Sequence, residues 1–399
     1  MISYPLPYEG ALEPPAEWER LRRQCPVATV ELPSGDRAKL LTRHEHVKEL
    51  LSDPRFVRPT AEDGAARVAP EGVGGAVATG EADSDRPIKG EPHQKWRRQV
   101  SKWFTAKRMT ALRPFIAETA ELLVDDMVEC GGPADLKSSL GFPLPVYVIC
   151  DMLGVPAADR DRFSHWSAAF LSLTRSSTEE ADRAQREFTQ YMSELIAAKR
   201  AEPTDDILSM LIRESAVEGE GMTDADLLAT GMGLLVAGHE TTTSMIGKMV
   251  AMLLADRSRW EQLVADPSLV RAAVEEALRF DANFGFGMRR YLSEDTEIGG
   301  ETLPRGTTVI CSLNAANRDE EVFDRAEEMN LNRSPNPHLL FGAGPHSCLG
   351  QSLARTELQV VLEVLLRKLP TLELAVPTNE LERVEGLLVG GLTEVPVRW

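Results

Sequence analysis

The chain is 399 residues long, 43% hydrophobic and 27% charged, with a formal net charge of −18. That balance supports a large core and argues against nucleic acid as a partner, because such binding rests on Lys and Arg neutralising phosphates. The opening "MISYPLPYEG" has neither the basic nor the apolar region of a secretory leader, and no run reaches ~18 uninterrupted apolar residues. The five cysteines (Cys25, Cys130, Cys150, Cys311 and Cys348) make no C-x-x-C pair and no zinc spacing. A protein of the reducing cytoplasm with no membrane span is expected. The lack of any Pro/Ser/Gly-rich spacer predicts one domain over residues 1–399.

In chain order, "VATVELPSGDRAKLLT" predicts two strands joined at the "PSGD" turn, and "HEHVKELLSD" a helix stopped by "DPRF". Residues 59–92 hold many Gly, Ala and Asp without a period and predict a long irregular loop, a kind that is often functional. Within it "GVGGA" lacks a strand–turn–helix context and is no nucleotide loop. From Glu91 to about residue 280 the pattern is helical: "FIAETAELLVDDMV", "REFTQYMSELIAAKR" and "DDILSMLIRE" place apolar residues at i, i+3 and i+4.

The stretch from Thr223 to Asp256 predicts a helix of about 50 Å, apolar on every side at its middle and therefore buried. "AGHETTT" interrupts it with His239, Glu240 and three threonines. Ala237 and Gly238 should let the helix loosen. A bond from the Thr241 hydroxyl to the Ala237 carbonyl should open a notch beside an acid. Residues 286–315 return to short strands, with "EIGGETLPRGTTVICS" expected as one hairpin around Gly299, Gly300 and Pro304. "SLARTELQVVLEVLLRKL" is an amphipathic helix, so the fold class is mainly α with small β-sheets.

Before that last helix lies "FGAGPHSCLG", Phe341 to Gly350, which fences Cys348 with Gly342, Gly344 and Gly350. Taken alone, a lone cysteine reads as a small buried hydrophobe. A thiolate is the sharper reading, since a helix starting near Gly350 turns its amides and positive dipole end toward the sulfur. One thiolate cannot close a structural zinc or iron–sulfur site, whereas haem needs one axial protein ligand, and glycines suit a loop pressed against a flat ring. Glu276 and Arg279 in "EEALR" share a helix face, a pattern with little meaning by itself.

In order, an A-G-x-E-T-T helix, an E-x-x-R pair and F-x-x-G-x-H-x-C-x-G resemble the cytochrome P-450 family, specifically its soluble bacterial members. "PVYVICDMLGVP", "AANRD" and "GLTEVPVRW" are similar to it as well, so the likeness spans nearly the whole chain. It implies heme b (iron protoporphyrin IX) with Cys348 as the proximal iron ligand, cradled by Phe341, Gly342 and Gly350. Across the ring it implies Ala237 and Gly238 on the long helix, and Glu240 and Thr241 as the acid–alcohol pair that guides protons to bound oxygen. Glu276, Arg279 and Arg333 correspond to the structural triad behind the cysteine loop. His93 and Arg97 in "HQKWR", His346 and Arg290 correspond to the partners of the haem propionates, by cation–carboxylate pairing. Two departures stand out: "MNLNR" has Asn330 where the family commonly has an acid, and the family's R-x-A reads "RYL" here.

The implied reaction is reductive activation of dioxygen followed by attack on a C–H bond or alkene of a small-molecule substrate, by a monomer that takes electrons from an external ferredoxin and its reductase. Arg86, Lys89, Lys95, Arg97, Arg98, Lys102, Lys107 and Arg108 reverse the chain's charge locally and suggest a ferredoxin-docking patch. Leu234, Ala237, Phe284, Phe286 and Leu392, with the 59–90 loop, are expected to line the substrate pocket. Its apolar character points to a mid-sized hydrophobic molecule such as a natural-product intermediate or a xenobiotic. Two alternatives are coupling or desaturation by the same haem chemistry, and a non-enzymatic haem-binding sensor. A cysteine hydrolase ranks last for want of a catalytic histidine beside Cys348.

Overall fold

The computed structural model describes residues 2–56, 58, 64–70, 73, 90–160, 162–163, 166, 177–215, 221–282, 285–386 and 388–399. Near the N-terminus, β1 (Ile2–Ser3) and α1 (Glu17–Gln24) precede the hairpin of β2 (Val27–Glu31) and β3 (Arg37–Leu41), then α2 (His44–Ser52). Val27 pairs with Leu41 and Glu31 with Arg37, and Gly35 takes the left-handed turn between them. The helical body runs through α3 (Gly90–Ser101), α4 (Ala106–Cys130), the short β4 (Ala134–Asp135), α5 (Pro143–Leu153), α6 (Thr178–Ala201) and α7 (Ile207–Ser215). It continues through α8 (Asp224–Leu254), α9 (Arg257–Ala265) and α10 (Val270–Phe280).

Four strands follow, β5 (Met288–Tyr291), β6 (Thr296–Ile298), β7 (Glu301–Leu303) and β8 (Thr308–Cys311), then the single turn α11 (Leu313–Ala316). The C-terminal part holds α12 (Gln351–Lys368), β9 (Glu373–Leu374), β10 (Arg383–Val384), β11 (Gly391–Leu392) and β12 (Pro396–Arg398). The largest sheet has the order β1-β2-β3-β8-β5. No helix among the described residues is long and apolar enough to cross a membrane.

The expected single hairpin over 297–312 is two structures. Gly299 and Gly300, both at positive φ, close β6 onto β7. β8 leaves that turn and inserts between β3, to which it is parallel, and β5, to which it is antiparallel. Its residues Thr308–Cys311 are buried on both faces, as suits a continuous β-branched run in mid-sheet rather than an alternating hairpin arm.

α8 organises the body. Thr223 caps it reciprocally with Asp226, the Asp226 N–H donating to the Thr223 hydroxyl at 3.1 Å and the Thr223 N–H to the Asp226 carboxylate at 2.9 Å. Thr242 through Leu254 are buried without a break, packed against α5, α6 and α12. The expected loosening at Ala237–Gly238 is absent: helix runs continuously from Asp224 to Leu254, although the Thr241 hydroxyl does donate to the Ala237 carbonyl at 2.9 Å. Gly238 instead makes room for a neighbour, since a Cβ there would lie 2.7 Å from Ile149 Cγ1 on α5.

Candidate active site

The segment before α12 is fixed from behind by a buried ion network. Arg279 grips Glu276 through Nε and Nη2, each at 2.8 Å, and both residues are fully buried on α10. Arg333 Nε reaches the same carboxylate at 3.0 and 3.1 Å. Asn330, where an acid was the family expectation, donates its main-chain N–H to Glu276 at 2.8 Å, and Asn336 adds its amide at 3.1 Å. Glu276 is thus saturated, as a buried carboxylate must be. Arg279 also donates to the carbonyls of Asn317 and Ala326, so the triad anchors the run that leads into the cysteine loop.

Neighbouring Glu275 ties three elements together. It accepts from Arg355 of α12 at 2.7 and 3.1 Å and from His338 at 3.0 Å, while Arg355 lies 4.4 Å over the Phe341 ring. Burial pushes the Glu275 carboxyl up, but the His338 and Arg355 hydrogen bonds outweigh it and hold it near about 2.

The loop itself is drawn tight by the Cys348 N–H donating to the Phe341 carbonyl at 2.7 Å, and Gly342 and Gly344 are both left-handed. Gly344 is pressed onto the end of α2: a Cβ would meet Ser52 Cα at 2.6 Å. Gly350 caps α12, and a Cβ on it would meet no protein atom within 4 Å, so the backbone beside the sulfur is open to a guest. Enclosure raises the Cys348 thiol, opposed by the Gly350 amide and then by Arg97, Arg355 and Arg58.

Cys348 faces a cavity of ≈ 290 Å³ enclosed by α3, α5, α8, α10, β5, the cysteine loop and α12. Two guanidiniums, Arg58 and Arg97, and two imidazoles, His93 and His346, line it near Cys348. His93 and His346 stack at 4.4 Å, and Arg97 donates to the Ser347 carbonyl at 2.6 Å. Burial, then Arg97 and Arg58, lower the His93 pKa, so its ring is neutral at pH 7 and donates through one nitrogen. The other walls are mostly apolar, with Ile149, Leu234, Met245, Leu278 and Met288, and carry Thr230, Thr241, Thr242 and Glu357 among them.

Of the residues singled out by sequence, the cavity brings together His93, Arg97, Leu234, Ala237, Gly238, Thr241, Phe341, His346, Cys348 and Gly350. Others stand apart. Glu240 is off the cavity wall, with its carboxylate 3.5 Å from His239 Nε2. Since the His239 Nδ1–H donates to the Leu235 carbonyl at 2.8 Å, Nε2 turns toward that acid. Arg290 is buried and shares the face of β5 with Met288 without lining the cavity. Phe286 packs against Tyr4 at 5.2 Å, and Leu392 is buried in β11; neither reaches the wall. Phe284, Arg86, Lys89 and most of the 59–90 loop lie outside the described residues.

Sequence reading missed Arg58, Trp96, whose indole N–H donates to Thr230 at 2.8 Å, and Glu357. Glu357 is fully buried on the cavity side of α12, and burial, only weakly opposed by the Thr242 hydroxyl, pushes its carboxyl well above the usual range. A signal was present: Glu357 follows Leu353 by one helical turn on the apolar stripe of α12.

Among the described residues no group of three or more His, Cys, Asp or Glu is placed to hold a metal ion. A single sulfur, an open glycine beside it, two guanidiniums near it and mostly apolar walls fit a flat, anionic-edged cofactor that needs one protein ligand.

Comparison with known proteins agrees. The family model "Cytochrome P450" matches residues 146–389. The chain is 42% identical to mycinamicin IV hydroxylase/epoxidase of Micromonospora griseorubida, covering 100% of this chain and 98% of the relative. It is 41% identical to nocardicin C N-oxygenase of Nocardia uniformis subsp. tsuyamanensis, with the same coverage of 100% and 98%. Among solved structures, the putative thioether synthase SgvP superposes with a TM-score of 0.93 at 37% identity, covering 100% of this chain and 99% of that one. The single-cysteine cavity and these full-length likenesses place the chain in the cytochrome P450 family, among the monooxygenases that carry heme b on a cysteine thiolate.

Proposed function

We propose that this monooxygenase oxidises a mid-sized, largely hydrophobic biosynthetic intermediate at a C–H bond or an alkene. The observation that carries this reading is the division of the cavity, with its guanidiniums and imidazoles near Cys348 and its remaining walls mostly apolar. The names of two relatives, a mycinamicin IV hydroxylase/epoxidase and a nocardicin C N-oxygenase, support the substrate class.

In this reading Cys348 supplies the thiolate, and Arg58, His93, Arg97 and His346 take the cofactor's carboxylates, with Arg290 joining from the shared face of β5. Haem so held supplies reductive dioxygen activation, to which thiolate donation contributes. Thr241 spends its O–H on the Ala237 carbonyl, so toward the cavity its oxygen is an acceptor that can hold a proton-bearing group. Glu240, turned to His239 and partly exposed, serves as the proton store behind it. Glu276, Arg279 and Arg333 hold the cysteine loop in place. Electrons come from a ferredoxin and its reductase to a monomer in the cytoplasm.

The cofactor assignment is tested on the dithionite-reduced protein exposed to carbon monoxide. The red-displaced Soret band of thiolate-bound haem should appear in the wild type and vanish in Cys348→Ser. Its persistence in the variant overturns the assignment. The substrate class is tested by optical titration with macrolide and peptide-derived intermediates; Soret shifts confined to small charged acids would reject it. A second reading, oxidative coupling, draws on the likeness to SgvP. Turnover under ¹⁸O₂ separates the two, because oxygen insertion labels the product and coupling does not.

A further inference from the structure

Behind the apolar wall of the cavity lies a buried charge cluster that the chemistry does not use. Lys248 of α8 is fully buried, and its ammonium meets Asp281 Oδ1 at 2.8 Å and the Ala282 carbonyl at 3.3 Å. Asp281, itself buried, accepts from Arg383 Nη1 of β10 at 3.1 Å. Arg383 donates further to the Ala11 carbonyl at 2.7 Å and stacks 3.9 Å over the Tyr8 ring. Burial pulls the Lys248 amine down to about 8, with Asp281 opposing, so the pair is ionic at neutral pH.

Such a cluster is a poor device for stability alone. Desolvating charges is costly, and apolar residues of similar volume are often as stable or better. What the charges add is a directional link between segments that otherwise meet only through side-chain packing. Lys248 sits one turn beyond Met245, which lines the cavity. Asp281 sits one turn beyond Leu278 of α10, which lines it too. The Lys248–Asp281 pair therefore joins two neighbouring elements that both contribute to the wall.

We propose that Lys248, Asp281 and Arg383 form a specificity-determining clamp, which fixes the separation between the Met245 turn of α8 and the Leu278 turn of α10 and so sets the bulk of the molecule admitted. These are positioning residues, since none of them touches the cavity. The proposal rests on the haem reading above, which the Soret shift of the wild type with imidazole tests separately.

The experiment is an optical titration of the ferric holoenzyme with imidazole and with 4-phenylimidazole, for the wild type, Lys248→Met and Lys248→Met/Asp281→Asn. Both azoles ligate the iron, but the phenyl ring also presses on the wall. In the variants the imidazole Kd should stay within about two-fold, while the 4-phenylimidazole Kd should rise about ten-fold, the discrimination that roughly one methylene of pocket shape carries. A loss of stability alone would leave the ratio of the two constants unmoved. The double variant removes the buried carboxylate that Lys248→Met leaves with Arg383 but without its ammonium, and so guards against simple misfolding. An unchanged ratio in either haem-loaded variant overturns the proposal. Failure of both variants to load haem overturns it as well, because the cluster is then a requirement of the fold.

Discussion

Thr241 shows how one hydrogen bond assigns a direction to a hydroxyl. A threonine whose O–H pointed into the cavity would be a donor there. With the O–H committed to Ala237 it is an acceptor, and its removal should leave reduced oxygen without the partner that holds its proton. Thr241→Ala is therefore expected to keep NADPH consumption while diverting it to hydrogen peroxide, and Thr241→Ser should restore coupling. Product formed per NADPH is the measurement, and an unchanged ratio in the alanine variant removes Thr241 from proton handling. Glu275 makes a prediction of the opposite kind, about the fold. Its carboxyl is held near about 2 in the folded protein, against an ordinary 4.5. A depressed folded pKa gives stability that is present above the unfolded value and is lost as pH falls through the folded one. Glu275→Gln should thus lower the urea midpoint at pH 7, and the gap to the wild type should close between about pH 4.5 and about pH 2. A gap of constant size across that window would show that the charge contributes nothing.

Where α8 crosses α5, the absence of one side chain sets the fit. Gly→Ala in a helix gains about 1 kcal/mol of propensity. At Gly238 the new Cβ would come within 2.7 Å of Ile149 Cγ1 and 3.2 Å of its Cβ, atoms too near the backbone to swing away. Overpacking of that kind costs typically 1–3 kcal/mol, so the clash should win. Gly238→Ala is expected to destabilise by about 1 kcal/mol, and Gly238→Ala/Ile149→Ala should be more stable than the sum of the single changes allows; denaturant midpoints of the four proteins give the coupling, and strict additivity would contradict the packing account. The same element shows what a sequence conveys. The length of α8, its capping box and its burial follow from local pattern, as do the β2–β3 hairpin and the glycines around Cys348. Loosening at Ala237–Gly238 was a local inference from propensity, and a tertiary neighbour overrode it. The fate of β8 could not be read locally either, because its partners β3 and β5 are distant in sequence. Order along the chain is what suggests Glu240 as the proton-delivering acid, Arg290 as a propionate partner, and Phe286 and Leu392 as pocket residues. Which way each faces depends on helix phase and strand register, as it does for Glu357 on α12, while Arg58 reaches the cavity from outside any helix or strand, unannounced by any motif.

On the scale of the molecule, a net charge of −18 poses a problem for an acidic electron donor. At physiological salt the Debye length is about 8 Å, so distant carboxylates are screened while charges at the contact are not. Docking then depends on a local reversal of sign, and Arg98 on α3, Lys102 just after it, and Lys107 and Arg108 at the start of α4 are all exposed. The α3 helix also carries Arg97, bonded to the Ser347 carbonyl next to Cys348, so the Arg98 end of the patch lies on an element in direct contact with the cysteine loop. The four charges are not equivalent. Lys102 is engaged with Glu214 at 2.8 Å, and Arg108 lies 3.6 Å over the Trp103 ring, where its loss would disturb packing as well as charge. Arg98 and Lys107 are the cleaner pair to reverse. Arg98→Glu/Lys107→Glu should slow reduction by an acidic ferredoxin at least about ten-fold at low salt, within the range electrostatic steering supplies. The wild-type rate should fall as salt rises, whereas the variant's should hold or rise, so that the two converge near 1 M salt, where the Debye length is about 3 Å. Reduction by dithionite and the carbon monoxide spectrum should be the same in both proteins, which separates a docking defect from a damaged site. Equal ferredoxin rates with equal salt slopes would move the docking surface away from α3 altogether.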